Sequence, residues 1–133
     1  MKKVYAAVMT PIPDSSGYAV RVPDVNGCIT TGTDVQDALD NIKDALAACL
    51  CTIEDYNQPV PEPTAPELIE HDSESIIALV DVDTLKYREE TDTRAVRKNV
   101  SMPAWLLNMA ESRGVNCSQV LQDALKREFG FIV

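Results

Sequence analysis

The side chains best suited to specific hydrogen bonding lie in a short alternating segment near the end of the chain. Arg97, Asn99 and Ser101 share one face of a strand predicted over 94–102. The opposite face carries Val96, Val100 and Met102. An arginine donates several hydrogen bonds from one plane, an amide donates and accepts at once, and a hydroxyl does either. The alternation therefore predicts a strand with one face for recognition and one for packing.

Two short helices are predicted directly after this strand. Pro103 stands where a first helical residue belongs, and the first helix continues over 104–113 until Gly114 stops it. Asn116 is the expected N-cap of the second helix, with Gln119 at the spacing of a capping box. The apolar stripe of the second helix is Val120, Leu121, Ala124 and Leu125. A strand and two helices cannot enclose a core alone, so this unit is expected to dimerise.

This order of strand, helix and helix resembles the ribbon-helix-helix family of DNA-binding domains. In that family two copies pair their strands into one antiparallel ribbon, which enters the major groove. The resemblance implies that Arg97, Asn99 and Ser101 contact base edges. Their chemistry suits the role, because arginine bonds guanine O6 and N7, asparagine bonds adenine N6 and N7, and serine bonds either base.

The start of the second helix is expected to hold a phosphate of the DNA backbone. The resemblance assigns this contact to Asn116, Cys117 and Ser118, where a helix N-terminus presents free N–H groups and partial positive charge. Lys98 departs from the family's pattern, because it shares the apolar face, where an aliphatic residue is usual. The floor of the ribbon is therefore expected to pack less tightly than in other members.

Charge is distributed unequally along the chain. Residues 1–92 contain 6 Lys and Arg against 18 Asp and Glu, a net charge of −12, whereas residues 93–133 contain 6 against 3, a net charge of +3, which gives −9 for the whole chain. The net positive charge is thus confined to the segment expected to meet phosphates. This favours DNA binding over the alternative, in which an amphipathic edge strand and a helical hairpin complete another protein's core.

Length and composition limit the protein to a soluble domain with a small additional unit. The chain has 133 residues, of which 45% are hydrophobic and 25% charged. It contains no apolar run long enough for a membrane span or a signal peptide, so a cytoplasmic location is expected.

The four cysteines are Cys28, Cys49, Cys51 and Cys117. They lack the C-x-x-C spacing of zinc sites, and the single His71 lies in polar sequence, so neither a metal nor a cofactor is expected.

The first part of the chain is predicted to form a sheet and one main helix. Strands are expected over 3–9, 18–22 and 29–32, followed by a helix that begins at Thr33 or Asp34. The helix repeats apolar residues at Leu39, Ile42, Leu46, Cys49, Leu50 and Ile53. Its opposite face carries Asp37, Asp40, Asp44 and Glu54, which are interpreted as a solvated surface.

Composition also marks the boundaries between domains. Residues 57–67 hold four of the eight prolines, which predicts an extended connection. The aliphatic run 75–82 predicts a strand covered on both faces for much of its length, and the charge-rich residues 84–92 are expected to be a hinge. The predicted organisation is a sheet domain over 1–83, this hinge, and a DNA-binding and dimerisation domain over 93–133.

Several motifs of the sheet domain resemble the HicB antitoxin family. They are Gly17-Tyr18-Ala19-Val20, the turn Pro23-Asp24-Val25-Asn26-Gly27-Cys28, Thr31-Gly32-Thr33-Asp34, Pro59-Val60-Pro61-Glu62-Pro63 and Val80-Asp81-Val82-Asp83. The resemblance implies an α+β fold with a shortened ribonuclease-H-like sheet, one main helix and a C-terminal ribbon-helix-helix unit. It further implies an antitoxin that neutralises a HicA-type mRNA interferase toxin and represses its own operon, as a dimer or a dimer of dimers on operator DNA. The residues that contact the toxin are not identified by these motifs.

An enzymatic role is not expected from the sequence. Two-metal nucleases need carboxylates that converge from several strands. Here Asp14 and Asp24 fall in turns, and Asp81 is the one carboxylate placed in the middle of a predicted strand. Two alternatives to the antitoxin remain: an orphan transcriptional regulator whose N-terminal domain senses another ligand or protein, and an RNA nuclease centred on Asp81.

Overall fold

A four-stranded antiparallel sheet forms the framework of the N-terminal part. The strands are β1 (Lys2–Pro11), β2 (Tyr18–Arg21), β3 (Ile29–Gly32) and β4 (Ile76–Asp83), in the order β3-β2-β1-β4. This computed structural model describes residues 1–133, which form two compact units, 1–92 and 93–133. The first strand of the sequence is therefore central in the sheet, and β3 and β4 are its edges.

One long helix covers the inner face of this sheet. Helix α1 (Val35–Asp55) begins where the sequence predicts, because the Asp34 carboxylate accepts a hydrogen bond from the Asp37 amide at 2.8 Å. The Asp37 carboxylate in turn accepts a hydrogen bond at 2.8 Å from the amide of Thr33, the residue before the cap, which further fixes the start of the helix. The buried core between helix and sheet includes Tyr5, Met9, Val20, Ile42, Leu46, Leu50, Val80 and Val82.

Gly32 allows the end of β3 to lie directly against α1. A Cβ atom at this position would stand 2.2 Å from the Ala38 nitrogen, a distance at which backbone would have to move. We predict that Gly32→Ala lowers the free energy of unfolding by about 1–3 kcal/mol, because the packed helix cannot shift without loss elsewhere. Thr31→Ala, on the exposed neighbouring residue, is the control for thermal and denaturant unfolding. Equal stability of the two variants would contradict this prediction.

Strand β4 differs from the sequence prediction in its burial. It pairs with β1 along its whole length, from Asp83 opposite Lys2 to Ile76 opposite Met9. Val80 and Val82 are buried beneath α1, but Leu79 on the other face is 62% exposed. The prediction of a strand covered on both faces was therefore wrong for this single chain, in which β4 is an edge strand with an open outer face.

Residues 84–92 also differ from the prediction of a hinge. Thr84–Thr91 form helix α2, which belongs to the N-terminal unit. Arg88 donates hydrogen bonds to the Asp55 carboxylate at 2.8 Å, the Glu54 carboxylate at 3.2 Å and the Cys51 carbonyl at 3.0 Å. The polar composition of residues 84–92 resembles that of a linker, but these contacts with the end of α1 hold the segment as a helix.

The C-terminal unit consists of two helices and an extended leading segment. Helices α3 (Ala104–Ser112) and α4 (Cys117–Glu128) lie close to the predicted ranges. The strand predicted over 94–102 is not formed in the single chain, since a strand needs a hydrogen-bonded neighbour and all four strands belong to the other unit. None of the helices is long and apolar enough to cross a membrane.

Candidate nucleic-acid interface and partner surface

The C-terminal unit leaves its apolar side chains open. None of residues 93–133 is buried, and Val96 is 91% exposed. The leading segment and the two helices line an open groove of ≈ 700 Å³. Its apolar lining includes Val100, Met102, Leu106, Met109, Val120 and Leu121. A unit with this many apolar side chains along an open groove has only part of a core, and a second surface is needed to bury them.

The residues predicted to contact bases lie in the leading segment. Arg97, Asn99 and Ser101 are all exposed. Ser101 also lines the apolar groove, next to Val100, so the single chain does not divide this segment into the two clean faces that a strand would have. Lys98 lines the groove together with Val100 and Met102, as its position on the predicted apolar face of this segment implies.

The residues predicted to hold a phosphate lie at the first turn of α4. The Asn116 side chain accepts a hydrogen bond from the Gln119 amide at 3.1 Å, so the predicted N-cap is present. The Gln119 side chain donates to Asp123 at 3.0 Å instead of turning back, and the capping box is therefore half formed. The first backbone bond of the helix joins the Val120 amide to the Asn116 carbonyl. The amides of Cys117 and Ser118 precede that bond and remain available for an anion.

The proline-rich segment is held against the sheet by contacts that the sequence did not reveal. The Asp24 carboxylate accepts hydrogen bonds from the Thr64 amide at 2.7 Å and the Thr64 hydroxyl at 2.6 Å. The Tyr5 hydroxyl donates to the Pro61 carbonyl at 2.6 Å. Burial, with the nearby Glu62 and Asp24 carboxylates, raises the pKa of Tyr5 to about 12, so the phenol stays protonated and keeps donating. Asp24 and Thr64 are 40 residues apart, and no local pattern connects them.

We predict that Asp24→Asn releases this segment. The substituted side chain can still meet both Thr64 groups, because its oxygen accepts from the amide and its nitrogen donates to the hydroxyl. It loses the negative charge, so two charge-assisted hydrogen bonds become weaker neutral ones, which costs about 1–3 kcal/mol of stability. Hydrogen exchange should show faster exchange of the Thr64 amide and its neighbours. Glu62→Gln is the control, because the Lys3–Glu62 ion pair is mostly exposed at the carboxylate and should contribute less than about 1 kcal/mol. Unchanged protection of Thr64 in Asp24→Asn would contradict the prediction.

The cysteines and acidic residues form no metal site. No group of three or more His, Cys, Asp or Glu side chains is arranged to hold a metal ion. Burial, followed by the effect of Cys49, raises the pKa of Cys28 to about 12. Asp81, the carboxylate considered for a nuclease, is exposed and forms an ion pair with Lys43 at 3.3 Å. A thiol that stays protonated and a solvated ion pair are typical of structural positions rather than of a reaction centre.

Comparison with known proteins identifies the family to which these two units belong. The family model described as the HicB-like antitoxin of bacterial toxin-antitoxin systems matches residues 5–124. The chain belongs to the HicB-like antitoxin family. The match spans the sheet, the proline-rich segment, α2 and most of the C-terminal unit of this HicB-like chain.

Individual relatives cover from half to nearly all of the HicB-like chain. A UPF0150 protein of Thermoplasma acidophilum is 34% identical over 67 residues, which are 50% of this chain and 96% of that protein. A toxin-antitoxin complex from Streptococcus pneumoniae contains a chain with a TM-score of 0.61 and 21% identity, covering 96% of this chain and 99% of that one. A chain of a HicA3 and HicB3 toxin-antitoxin complex has a TM-score of 0.50 and 22% identity, covering 61% and 99%. At these identities the two structures support the α+β fold.

Proposed function

We propose that this chain neutralises a HicA-type mRNA interferase toxin through its N-terminal unit and represses its own operon through its C-terminal unit. The observation that carries the proposal is the family match, which continues across both units, from residue 5 to residue 124. The fold neighbours support the partner, because one belongs to a HicA3 and HicB3 complex and another to a toxin-antitoxin complex. On this proposal the sheet corresponds to the shortened ribonuclease-H-like fold, and the chain acts by binding rather than by catalysis.

The DNA-binding part of the proposal follows from the incomplete C-terminal unit. A second copy would supply both missing elements: apolar side chains to close the groove beside α3 and α4, and a strand to pair with residues 94–102. The resulting ribbon would present Arg97, Asn99 and Ser101 of both copies to the major groove. The first turns of the two α4 helices would then contact flanking phosphates through Cys117 and Ser118. Two such dimers can occupy neighbouring half-sites as a dimer of dimers.

The opposite net charges of the two units support a different binding partner for each. The C-terminal unit carries a net charge of +3 per copy, and dimerisation doubles this value on the surface that meets DNA. The N-terminal unit carries −12, which attracts a positively charged protein and repels nucleic acid. A nuclease function is not favoured, because Asp81 is paired with Lys43 and stands in no metal-binding cluster.

A growth-rescue experiment tests the antitoxin function. The small reading frame next to the gene for this chain is induced in a heterologous bacterium, with and without the chain. We expect growth arrest that the chain relieves. Arrest that the chain does not relieve, or no arrest at all, would refute the antitoxin proposal and favour an orphan regulator whose N-terminal unit senses another molecule. Binding of the purified chain to its own promoter DNA tests the repressor function separately.

A further inference from the structure

Strand β4 has more apolar residues than the single chain buries. The run 75–82 is typical of a strand covered on both faces, yet Leu79 is 62% exposed. By register Leu79 stands beside Ala6 on the outer face of the sheet, diagonal to Val4, which is 51% exposed. The sequence thus places apolar side chains on this face that the single chain leaves exposed and that another molecule can bury.

An acidic segment crosses the same outer face. Ile69 packs on Ala6 and Val8 of β1, and the adjacent Leu68 is 72% exposed. The four carboxylates of this segment are Glu67, Glu70, Asp72 and Glu74, and residues 66–74 contain no Lys or Arg. We name this segment, 66–74, the acidic strap. Apolar side chains surrounded by a polar rim are typical of a protein-binding surface, and a rim with charge of one sign selects a partner of the opposite sign.

We propose that the outer face of the sheet, with Val4, Leu79 and Leu68 as apolar anchors and the acidic strap as its rim, is the surface that binds the toxin. The proposal rests on the proposed antitoxin function and names the site through which it acts. The partner must carry a positively charged surface with an apolar centre, because the rim is anionic and the anchors are aliphatic. The β4 edge borders the same surface and offers unpaired backbone groups to the partner.

The acidic face of α1 fits a partner less well. Asp40 and Asp44 provide charge there, but Val35, at the first residue of the helix, is the one large apolar side chain of α1 among those that are exposed. Charge without desolvated anchors steers encounter and gives little lasting affinity. The α1 face can therefore speed association, whereas the outer sheet face provides the contacts that hold a complex together.

A second copy of this chain is also a poorer occupant of the outer face. A symmetric pairing uses the same patch of both copies, so both acidic straps would be brought into one interface. Like charges opposed across an interface cost several kcal/mol. Two cations lie on this face: Lys2, which is paired with Asp83, and Arg21, which borders a pocket with Glu70 and Asp72. Arg21 offsets part of the charge of the strap, whose four carboxylates leave it net negative.

Three variants of the full-length chain test the assignment by titration against the purified, catalytically inactivated toxin encoded beside it. Leu79→Arg removes an anchor and should weaken binding by about 30-fold or more. Glu67→Gln combined with Glu70→Gln should weaken it about tenfold and reduce its dependence on salt. Asp40→Asn combined with Asp44→Asn changes net charge equally on the α1 face and should stay within about threefold of the wild-type Kd. Thermal unfolding and promoter binding confirm that each variant is folded.

The outcomes separate this inference from the function on which it rests. If the wild-type chain does not bind the toxin, the antitoxin proposal itself fails, and the docking surface fails with it. If the wild type binds and Leu79→Arg binds equally well, the antitoxin function stands and the outer-face assignment is overturned. The assignment is also overturned if the α1 double variant loses as much affinity as the strap variant. A change in the sedimentation of the free chain on Leu79→Arg would show that a second copy occupies the face instead.

Discussion

A chain truncated after Asp92 should neutralise the toxin as well as the full-length protein and should lose binding to its promoter entirely. The N-terminal unit ends at this residue and has its own closed core beneath α1. The contacts of Arg88 with Glu54 and Asp55 anchor α2 within that unit, and the shortened chain keeps every residue of the core. The apolar groove and Arg97 and Asn99 are lost together with the C-terminal unit.

Truncation after Asp83 provides the sharper comparison. This truncation ends the chain where the predicted hinge, 84–92, begins. It deletes α2, including the buried Thr84 and also Tyr87, which packs on the core. The loss of one such aromatic contact alone costs about 2 kcal/mol. We therefore expect the 1–83 fragment to unfold at a lower temperature than the 1–92 fragment in calorimetry and to rescue growth less well. Equal stability of the two fragments would show that α2 is indeed a linker.

Local sequence patterns predicted the elements that local chemistry determines. Helix α1 begins at its Asp34 cap and α4 begins at its Asn116 cap, because in each the cap side chain bonds an amide three positions later. The strands predicted over 3–9 and 75–82 likewise lie close to the observed bounds of β1 and β4. Each of these signals lies within a few residues of the structure that it forms.

The features that the sequence did not reveal depend on distant partners. Asp24 was interpreted as a turn residue, and its role as the acceptor for Thr64 depends on the fold that brings them together. Helix α2 was interpreted as a hinge, because its contacts lie in α1, more than thirty residues earlier in the chain. For residues 94–102 the alternating pattern of a strand is present in the sequence, but the single chain supplies no strand with which they could pair.

Replacing Arg97 or Asn99 by Ala should reduce the preference of the chain for its own operator over unrelated DNA. Each lost bidentate contact is worth about 1–3 kcal/mol of discrimination, and a dimer loses it twice. Both side chains are exposed in a segment without regular structure, so their removal should leave the fold and toxin binding unchanged. The ratio of operator to non-specific Kd, measured at fixed salt, isolates this effect from a general loss of positive charge.

Arg127→Ala supplies the charge-matched control for Arg97→Ala. Arg127 lies in the last turn of α4 and donates to the Val133 carbonyl, away from the predicted ribbon. Its loss should weaken binding to every DNA sequence by a similar factor and leave the ratio intact, whereas Arg97→Ala should lower the ratio. If both variants change only the overall affinity, Arg97 contacts phosphate rather than bases. If Arg97→Ala also abolishes toxin binding, the assignment of toxin binding to the N-terminal unit alone is wrong.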